Sequence, residues 1–290
     1  MKKYILDEKA FRLKVSQYLR EFHNYSGRSL RNIEVFLDNK QIRTTTKLPK
    51  IGTLMVKEKE KGTDLLPIKM NLDIVYEDDD LLIVNKEPYL LTHPTLKKVD
   101  KTLANGIVYY FKEKYDKNIV PRFISRLDMN TSGLIMIAKN SFAQSFIQSG
   151  KSNVTKKYIA LIEGIFKHDD ITVEARIYKD GDELSRIVDD RGQDAKTKFK
   201  LINVYKHLDV SLVECELFTG RTHQIRVHLK HLGYPIIGDS LYNPNSIYHK
   251  IAKRQMLHAY KLSFIHPSTN KRVDIEIPMY HDMSEIIENK

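Results

Sequence analysis

The chain has 290 residues, of which 41% are hydrophobic and 29% charged, so it can fold around a sizeable core and is not a disordered tail. Its 48 lysines and arginines exceed its 37 acids, and the formal charge of +11 favours a polyanionic partner, with nucleic acid ahead of a membrane surface. No apolar run approaches the roughly 20 residues that span a bilayer, and residues 1–13 lack a secretory signal. We therefore expect a cytoplasmic protein with no membrane contact.

Residues 1–63 are predicted to form a small module of helices and short strands. Helical spacing of apolar residues over 11–22 indicates one helix, and Ser29 is placed to cap a second that would carry Leu30, Ile33 and Phe36. Short strands are expected near 41–45 and 53–57. The charge run over 57–62 has no apolar periodicity and is interpreted as a linker.

Arginines 20, 28 and 31 would decorate these two helices. A basic helical face suits phosphate contacts. A solvated surface explains the same residues equally well, so this pattern alone leaves the question open.

Residues 64–290 are predicted to be a second domain in which strands alternate with helices of moderate length. The expected elements are strands near 74–76, 81–85, 156–163, 192–204 and 210–219, and a helix near 103–115. Asp78, Asp79 and Asp80 are interpreted as a solvated hairpin turn and not as a metal site, because consecutive side chains splay apart. Cys215 is the one cysteine; its alternating strand context indicates a buried thiol and a reducing compartment.

Asp128 lies between two apolar runs that are predicted to be strands, with Asn130 to Gly133 supplying the turn. A carboxylate on a loop that core strands hold rigid is well placed to react. An ordinary turn aspartate is the simpler explanation of this segment taken alone.

Arg221 stands where the strand over 210–219 meets a predicted helix that Thr222 caps and Gly233 ends. We expect Arg221 to form a salt bridge with Asp128 and keep it ionised. A structural or phosphate-contacting arginine is the alternative. Tyr158, which follows two lysines on an apolar strand, could stack on a base, although most such tyrosines belong to a core.

The histidines are not predicted to bind a metal. The spacing of His223, His228 and His231 fits a metal site poorly, and the only cysteine lies elsewhere. We expect them to hydrogen bond the core backbone or RNA. His258 and His266 are expected to be satisfied histidines beside a buried strand.

The chain resembles the RluA-type pseudouridine synthases over about residues 73–280. Residues 125–133, Ser-Arg-Leu-Asp-Met-Asn-Thr-Ser-Gly, are similar to the family signature His-Arg-Leu-Asp-x-x-Thr-Ser-Gly. Residues 219–228, Thr-Gly-Arg-Thr-His-Gln-Ile-Arg-Val-His, match a second signature, and Gly238-Asp239 and Leu257-His258-Ala259 match in order. The N-terminal module resembles a divergent S4 RNA-binding domain.

The resemblance implies an α+β fold, with a mixed, largely antiparallel sheet and flanking helices, that isomerises uridine in structured RNA. It implies that Asp128 is the catalytic carboxylate, Tyr158 contacts the base and Arg221 partners the aspartate. Arg126 would help to hold RNA with its target nucleotide extruded. The expected RNA contacts are Arg126, Thr131, Arg226, Arg28 and Arg31.

The implied reaction needs neither a metal nor a cofactor, and RNA is the one expected partner. Ribosomal RNA is the favoured substrate and transfer RNA the second; no obligate protein partner is inferred. Asp128 could attack C1′ or remove the C2′ proton, and the sequence leaves both routes open. Ser125 replaces the family's usual histidine, and residues 85–89, Asn-Lys-Glu-Pro-Tyr, replace Asn-Lys-Pro-Ala-Gly, which puts the cleft rim and RNA specificity in doubt.

Two rival classes stay open at this point. A non-catalytic RNA-binding protein could use the same cleft as a docking surface. A hydrolytic glycosidase would need a second carboxylate roughly 5 to 10 Å from Asp128, and Glu163 or Asp239 would have to supply it.

Overall fold

The computed structural model describes residues 1–59, 62–95, 101–116, 119–181 and 184–288, apart from the side chains of Arg28 and Glu58. Its strands form a four-stranded sheet, a ten-stranded sheet and a separate two-stranded hairpin. No helix in these ranges is both long and apolar enough to cross a bilayer.

The four-stranded sheet belongs to the N-terminal part of the chain and is antiparallel throughout. Its strands are β1 (Lys2–Ile5), β2 (Ile33–Leu37), β3 (Lys40–Ile42) and β4 (Thr53–Glu58), in the order β1-β4-β2-β3. Helices α1 (Val15–His23) and α2 (Gly27–Arg31) complete the module. Val15, Tyr18 and Leu19 recur at helical spacing on the buried face of α1, which explains why this segment is helical.

The structure corrects three predictions about the module. Ser26, not Ser29, caps α2, because the Ser26 hydroxyl accepts the Ser29 backbone N–H at 3.1 Å. Ile33 and Phe36 do not continue that helix but lie in β2, where Ile33 and Val35 alternate toward the core. The predicted linker also begins too early, since Lys57 is still paired in β4; residues 60 and 61 of it lie outside the described residues.

The ten-stranded sheet forms the body of the molecule. Its strands are β5 (Asp73–Glu77), β6 (Leu81–Lys86), β7 (Arg122–Phe123), β8 (Ser132–Ala138), β9 (Thr155–Glu163), β10 (Asp170–Glu174), β13 (Lys196–Tyr205), β14 (Val210–Leu217), β15 (Leu257–Ile265) and β16 (Arg272–Glu276); β11 (Ile177–Tyr178) and β12 (Ile187–Val188) form the separate hairpin. The order is β10-β13-β14-β9-β15-β8-β6-β5, with β16 also paired to β15 and β7 to β8. Among the strands that the structure describes, only β15 and β8 pair in parallel, which confirms the predicted mixed, largely antiparallel sheet.

Four helices accompany this sheet: α3 (Leu103–Tyr115), α4 (Ser141–Gln148), α5 (Gln224–His231) and α6 (His281–Glu288). The predicted bounds of α3 are confirmed. Helix α5 begins two residues after the predicted cap at Thr222, because His223 takes a left-handed conformation and stands at the N-cap. The predicted buried thiol is confirmed: Cys215 lies in β14 with no exposed surface, and burial raises its pKa well above the ordinary value.

Strand β8 lies in the interior of the sheet, between β15 and β6, and all seven of its residues are buried. Its second residue, Gly133, has φ +114°, and a Cβ there would meet the Ala259 carbonyl oxygen at 2.3 Å. The glycine is therefore needed for the close approach of β15 to β8. The sequence had assigned it to a turn.

The N-terminal module packs against the body near residues 78–80, where the hairpin between β5 and β6 turns. Lys2 forms a salt bridge with Asp80 at 2.7 Å, and the Tyr25 and Phe142 rings lie 4.8 Å apart. Phe142, from α4, is part of the module's own apolar core. The two parts of the chain thus share a hydrophobic contact.

Candidate active site

Asp128 stands on the loop between β7 and β8, and the structure holds that loop by its backbone. Three neighbouring carbonyls are taken by side chains: Leu127 O by Thr92 at 3.1 Å, Met129 O by Lys86 at 3.0 Å, and Asn130 O by Arg254 at 3.1 Å. The Asp128 carbonyl accepts the Thr131 N–H at 3.1 Å. Because each carbonyl has a partner, the loop is fixed without the help of the carboxylate itself.

Two of these anchors are buried cations that the sequence analysis missed. Lys86 donates to Glu87 O, Leu90 O and Met129 O at 2.8 to 3.0 Å, one acceptor for each ammonium hydrogen. Burial, and then repulsion from Arg254, lowers the pKa of Lys86 to about 7, whereas the three carbonyls favour its charged form. The sequence feature that could have identified this anchor is the position of a lysine at the end of the apolar strand 81–86.

Arg254 is the second missed anchor. It is 1% exposed and pairs with Asp282 of α6 at 2.7 Å, while its guanidinium also reaches Asn130 O and the Ser132 hydroxyl. A buried arginine with several acceptors connects the loop, β8 and the last helix.

The arginine that contacts Asp128 is Arg226, which corrects the predicted pairing with Arg221. Arg226 Nη1 donates to Asp128 Oδ2 at 2.9 Å. Arg221 instead donates to the Asp194 carbonyl at 3.0 Å and to the Gln193 side chain at 2.9 Å. The left-handed turn at His223 separates the two arginines, because it starts α5 and leaves Arg221 on the preceding loop. Arg226, expected to touch RNA, is 6% exposed and therefore serves the carboxylate.

Asp239 fixes the position of Arg226. Its two oxygens accept Arg226 Nε and Nη2 at 2.7 and 2.8 Å, and Oδ1 also accepts the N–H groups of Leu241 and Tyr242 at 3.1 Å. Burial alone would lower the pKa of Arg226, but Asp239 and Asp128 raise it. The guanidinium thus stays charged between two carboxylates.

The carboxylate of Asp128 is held on one side and open on the other. Arg226 binds Oδ2, whereas no described residue donates a hydrogen bond to Oδ1, and the side chain is 29% exposed. His223 Nε2 lies 3.8 Å from Oδ2, beyond hydrogen-bond distance. A carboxylate with one oriented and one free oxygen can act as a nucleophile or as a base.

Tyr158 lies on β9 beside this carboxylate, as the sequence predicted, and is 7% exposed. Burial raises the pKa of its phenol, and the charge of Asp128 raises it further. No described residue hydrogen bonds the Tyr158 hydroxyl. The protonated hydroxyl therefore has its bonding capacity left for a ligand.

The other residues that were predicted to contact RNA differ in their exposure to solvent. Thr131 is 2% exposed and its hydroxyl accepts from Gln255 at 3.3 Å, so burial excludes it from a direct RNA contact in this structure. Arg126 is exposed on the Asp128 loop, and Arg31 is exposed on α2. The side chain of Arg28 lies outside the described residues.

The buried histidines act as predicted, through protein hydrogen bonds. His228 contacts the Thr197 hydroxyl at 2.9 Å and Ala175 O at 3.0 Å, and His258 contacts Ser132 and Pro278 O. His266 binds Asp78 at 2.7 Å. Over the described ranges, no group of three or more His, Cys, Asp or Glu side chains could hold a metal ion.

Of the two carboxylates considered for a glycosidase, Asp239 is fully buried and both of its oxygens accept hydrogen bonds, so it is not free to act as a second catalytic acid. Glu163 is the last residue of β9, five positions after Tyr158, and one of its oxygens accepts the Asn243 amide at 2.6 Å. The glycosidase alternative therefore loses Asp239 as a candidate.

Comparison with known proteins identifies the family of the chain. The family profile described as RNA pseudouridylate synthase matches residues 80–231, which include Asp128, Tyr158 and Arg226. The chain belongs to the RNA pseudouridylate synthase family. It is 41% identical over 242 residues to a Bacillus subtilis protein named the uncharacterized RNA pseudouridine synthase YlyB, which covers 82% of this chain and 78% of that protein.

A second relative is the ribosomal large subunit pseudouridine synthase D of Zymomonas mobilis, 34% identical over 231 residues, covering 75% of this chain and 72% of that protein. Among solved structures, human RNA pseudouridylate synthase domain containing 1 matches with a TM-score of 0.57 and 29% identity, over 72% of this chain and 83% of that one. The predicted family, fold and enzyme class are confirmed: this synthase is an isomerase that acts on RNA.

Proposed function

We propose that the synthase converts uridine to pseudouridine in ribosomal RNA, with Asp128 as the catalytic carboxylate. The observation that carries the role of Asp128 is its half-bound state: Arg226 orients Oδ2 at 2.9 Å while Oδ1 accepts nothing from the described residues. The relatives named as ribosomal large subunit synthases support the choice of RNA.

The reaction breaks the N1–C1′ bond, turns the uracil and rejoins it through C5. Asp128 performs the step at the ribose, either by attack on C1′ or by removal of the C2′ proton. In both routes Arg226 holds the carboxylate in position through its hydrogen bond to Oδ2. Tyr158 supplies a flat ring and a protonated hydroxyl to the base.

The target nucleotide must leave its stack to reach Asp128, at a cost of roughly a few kcal/mol that contacts along the RNA offset. Arg126, exposed on the same loop, is proposed to take part in that contact. Because ribosomal RNA is the proposed substrate, the cytoplasm is the proposed location.

The N-terminal module is proposed to be an S4-like RNA-binding domain of residues 1–63, with the catalytic domain over residues 64–290. Arg31 and Arg20 are exposed, and the Arg20 guanidinium reaches the start of α2 at Gly27, so the two helices share a basic surface. Such a surface binds phosphates without reading sequence.

Replacing Asp128 with Asn tests the catalytic role. Pseudouridine formation in large-subunit ribosomal RNA, measured by mass spectrometry, should fall below about one thousandth of wild type, a loss typical of a removed nucleophile or base. RNA affinity should change less than about threefold. Asp79→Asn, the same change on an exposed turn carboxylate, is the matched control. Turnover near wild type in Asp128→Asn would refute the proposal.

The substrate is tested separately by mapping pseudouridines in cells with and without the gene. Loss of one or more positions in large-subunit ribosomal RNA is expected. Loss confined to transfer RNA would overturn the choice of substrate and leave the role of Asp128 intact.

A further inference from the structure

His223 lies beside the carboxylate in a backbone conformation that most residues avoid. Its φ is 59°, in the left-handed region, and it stands at the N-cap of α5 without capping the helix through its side chain. For a residue other than glycine this conformation costs of order 1 kcal/mol, and histidine is one of the residue types that adopt it more often. The conformation brings the ring to the edge of the cleft, where it is 17% exposed.

We assign the hydrogen of the neutral His223 ring to Nε2 on the basis of its contact with Tyr242. The Tyr242 hydroxyl accepts the Arg186 backbone N–H at 2.8 Å and lies 2.9 Å from His223 Nδ1. The hydroxyl has one hydrogen and no other acceptor for it among the described residues, so we assign this contact as a donation from the hydroxyl to Nδ1. Nδ1 is then an acceptor, so the neutral imidazole carries its hydrogen on Nε2.

Burial favours the neutral form of His223. Burial lowers the pKa of the imidazole, and the Arg226 and Arg186 guanidiniums lower it further, while Asp128 and Asp239 act in the opposite direction. The Arg226 guanidinium also lies over the Tyr242 ring, 4.8 Å from its centroid. One tyrosine therefore supports both groups that flank Asp128.

The Nε2–H of His223 is a donor without an acceptor. It lies 3.8 Å from Asp128 Oδ2, too far for a hydrogen bond, and no other residue of the described chain accepts from it. A ligand group seated between the imidazole and the carboxylate would complete this bond. Asp128 would face the sugar while the imidazole faces an oxygen of the same nucleoside.

We infer that His223 contacts the substrate as a neutral hydrogen-bond donor to a uracil oxygen, an inference that rests on the proposed function. When the N1–C1′ bond breaks, its electron pair moves to the uracil, and the negative charge spreads over the two carbonyl oxygens. The Nε2–H stabilises that charge without transferring its proton. The pair then forms the C5–C1′ bond, C5 loses a proton and N1 gains one, so the reaction remains an isomerisation.

Two substitutions separate the donor from the other contacts of the ring. His223→Asn keeps an acceptor near the position of Nδ1 for Tyr242 and tolerates the left-handed backbone, but it does not reach the position of Nε2. His223→Gln places an N–H near the position of Nε2. His231→Asn, an exposed residue in the last turn of α5, is the control.

Single-turnover rates, RNA dissociation constants and melting temperatures should be measured for all three variants. His223→Asn should lower the rate about 100-fold, the scale of a lost donor to developing negative charge. Its RNA affinity and melting temperature should stay near wild type. His223→Gln should recover at least about tenfold of the rate, and His231→Asn should match wild type.

Three results would overturn the inference: a full rate in His223→Asn, a loss that appears only in RNA affinity, or equal defects in both His223 variants with a lower melting temperature. The Asp128→Asn variant keeps the two proposals apart. If Asp128→Asn is inactive and His223→Asn is not, only the role of His223 fails. If Asp128→Asn is active, the proposed function fails.

Discussion

An acidic residue with basic partners lies near each end of β8, but the two carboxylates differ in how many hydrogen bonds they accept. At the end near Ser132, Asp128 has one arginine contact and a free oxygen. At the other end, after Ala138, Glu77 accepts from Lys114, Tyr110, Tyr115 and Lys139, and its side chain is 11% exposed. The full set of donors makes Glu77 a structural acid. The missing donors leave Asp128 able to react.

The pKa of Glu77 follows from that saturation. Burial alone would raise it, but the hydrogen bonds from Lys114, the two tyrosines and Lys139 lower it to about 2. A carboxylate with such a low pKa is a poor base, because fixed donors already stabilise its charged form.

Breaking the support of Asp128 should have the largest effect. Asp239→Asn removes a buried charge that binds Arg226 through two bonds. We expect a loss of about 3 kcal/mol in the free energy of unfolding, because the arginine is left partly unpaired. The rate of pseudouridine formation should also fall, by at least about tenfold.

Chemical denaturation and single-turnover kinetics measure both effects of Asp239→Asn. Glu276→Gln is the control, since Glu276 pairs with Lys261 on the surface and is 57% exposed. That change should cost less than about 1 kcal/mol. A stable Asp239→Asn with a normal rate would contradict the view that Asp239 positions Arg226.

At the saturated end, Lys139→Met should affect stability alone. Lys139 donates to Glu77 at 2.9 Å, to Asp78 O at 2.6 Å and to the Tyr115 hydroxyl at 2.8 Å, and it is 9% exposed. Losing these bonds should cost about 2 kcal/mol of unfolding free energy. The single-turnover rate of the folded protein should be unchanged. A large fall in that rate would contradict the proposed difference between the two ends of β8.

Acid should lower the free energy of unfolding by protonating Glu77. Comparison with the Glu77→Gln variant measures this contribution. The folded pKa is about 2 and the ordinary value is 4.5, so the stabilisation is complete above about pH 4.5 and is lost as the pH falls toward 2. At most about 3.5 kcal/mol is involved, since a shift of one pKa unit corresponds to about 1.4 kcal/mol. The difference in unfolding free energy between wild type and Glu77→Gln should shrink over this range. A difference independent of pH would exclude the mechanism.

The smallest effect is expected from Thr92→Val, which removes the hydroxyl that binds Leu127 O. Unfolding free energy should fall by about 1 kcal/mol, and the rate should fall a few-fold because the Asp128 loop loses one anchor. Tyr110→Phe removes one donor to Glu77 and is the matched control. It should have a similar cost in stability and a normal rate; equal rate losses in both variants would contradict the comparison.

Regular periodicity let the sequence predict much of the fold. The bounds of α3 and the alternating strand that buries Cys215 were predicted correctly, because one apolar pattern fitted each segment. Ile33 and Phe36 were assigned to the wrong element because their spacing of three also occurs in a helix. The sheet pairing of β2 with β4 decides between the two, and it depends on residues more than 15 positions away.

The candidate site was predicted less completely for a geometric reason. Asp128 and Tyr158 were predicted from local sequence patterns and from the family resemblance, and the structure brings the two side chains together. Arg226 and Arg221 are five residues apart, and only the left-handed turn at His223 decides which reaches the acid. Lys86 and Arg254 act on backbone carbonyls, whose identity leaves no pattern in the sequence, so only the unusual position of Lys86 at the end of an apolar strand could have pointed to either residue.

The buried thiol of Cys215 has a practical consequence. The chain contains one cysteine, it has no exposed surface, and its raised pKa disfavours the reactive thiolate. A cysteine introduced on the surface, for example Lys40→Cys in the N-terminal module, would then be the sole site to take up a maleimide dye. Fluorescence from that dye could follow the module as RNA binds, with no need to remove a native thiol first.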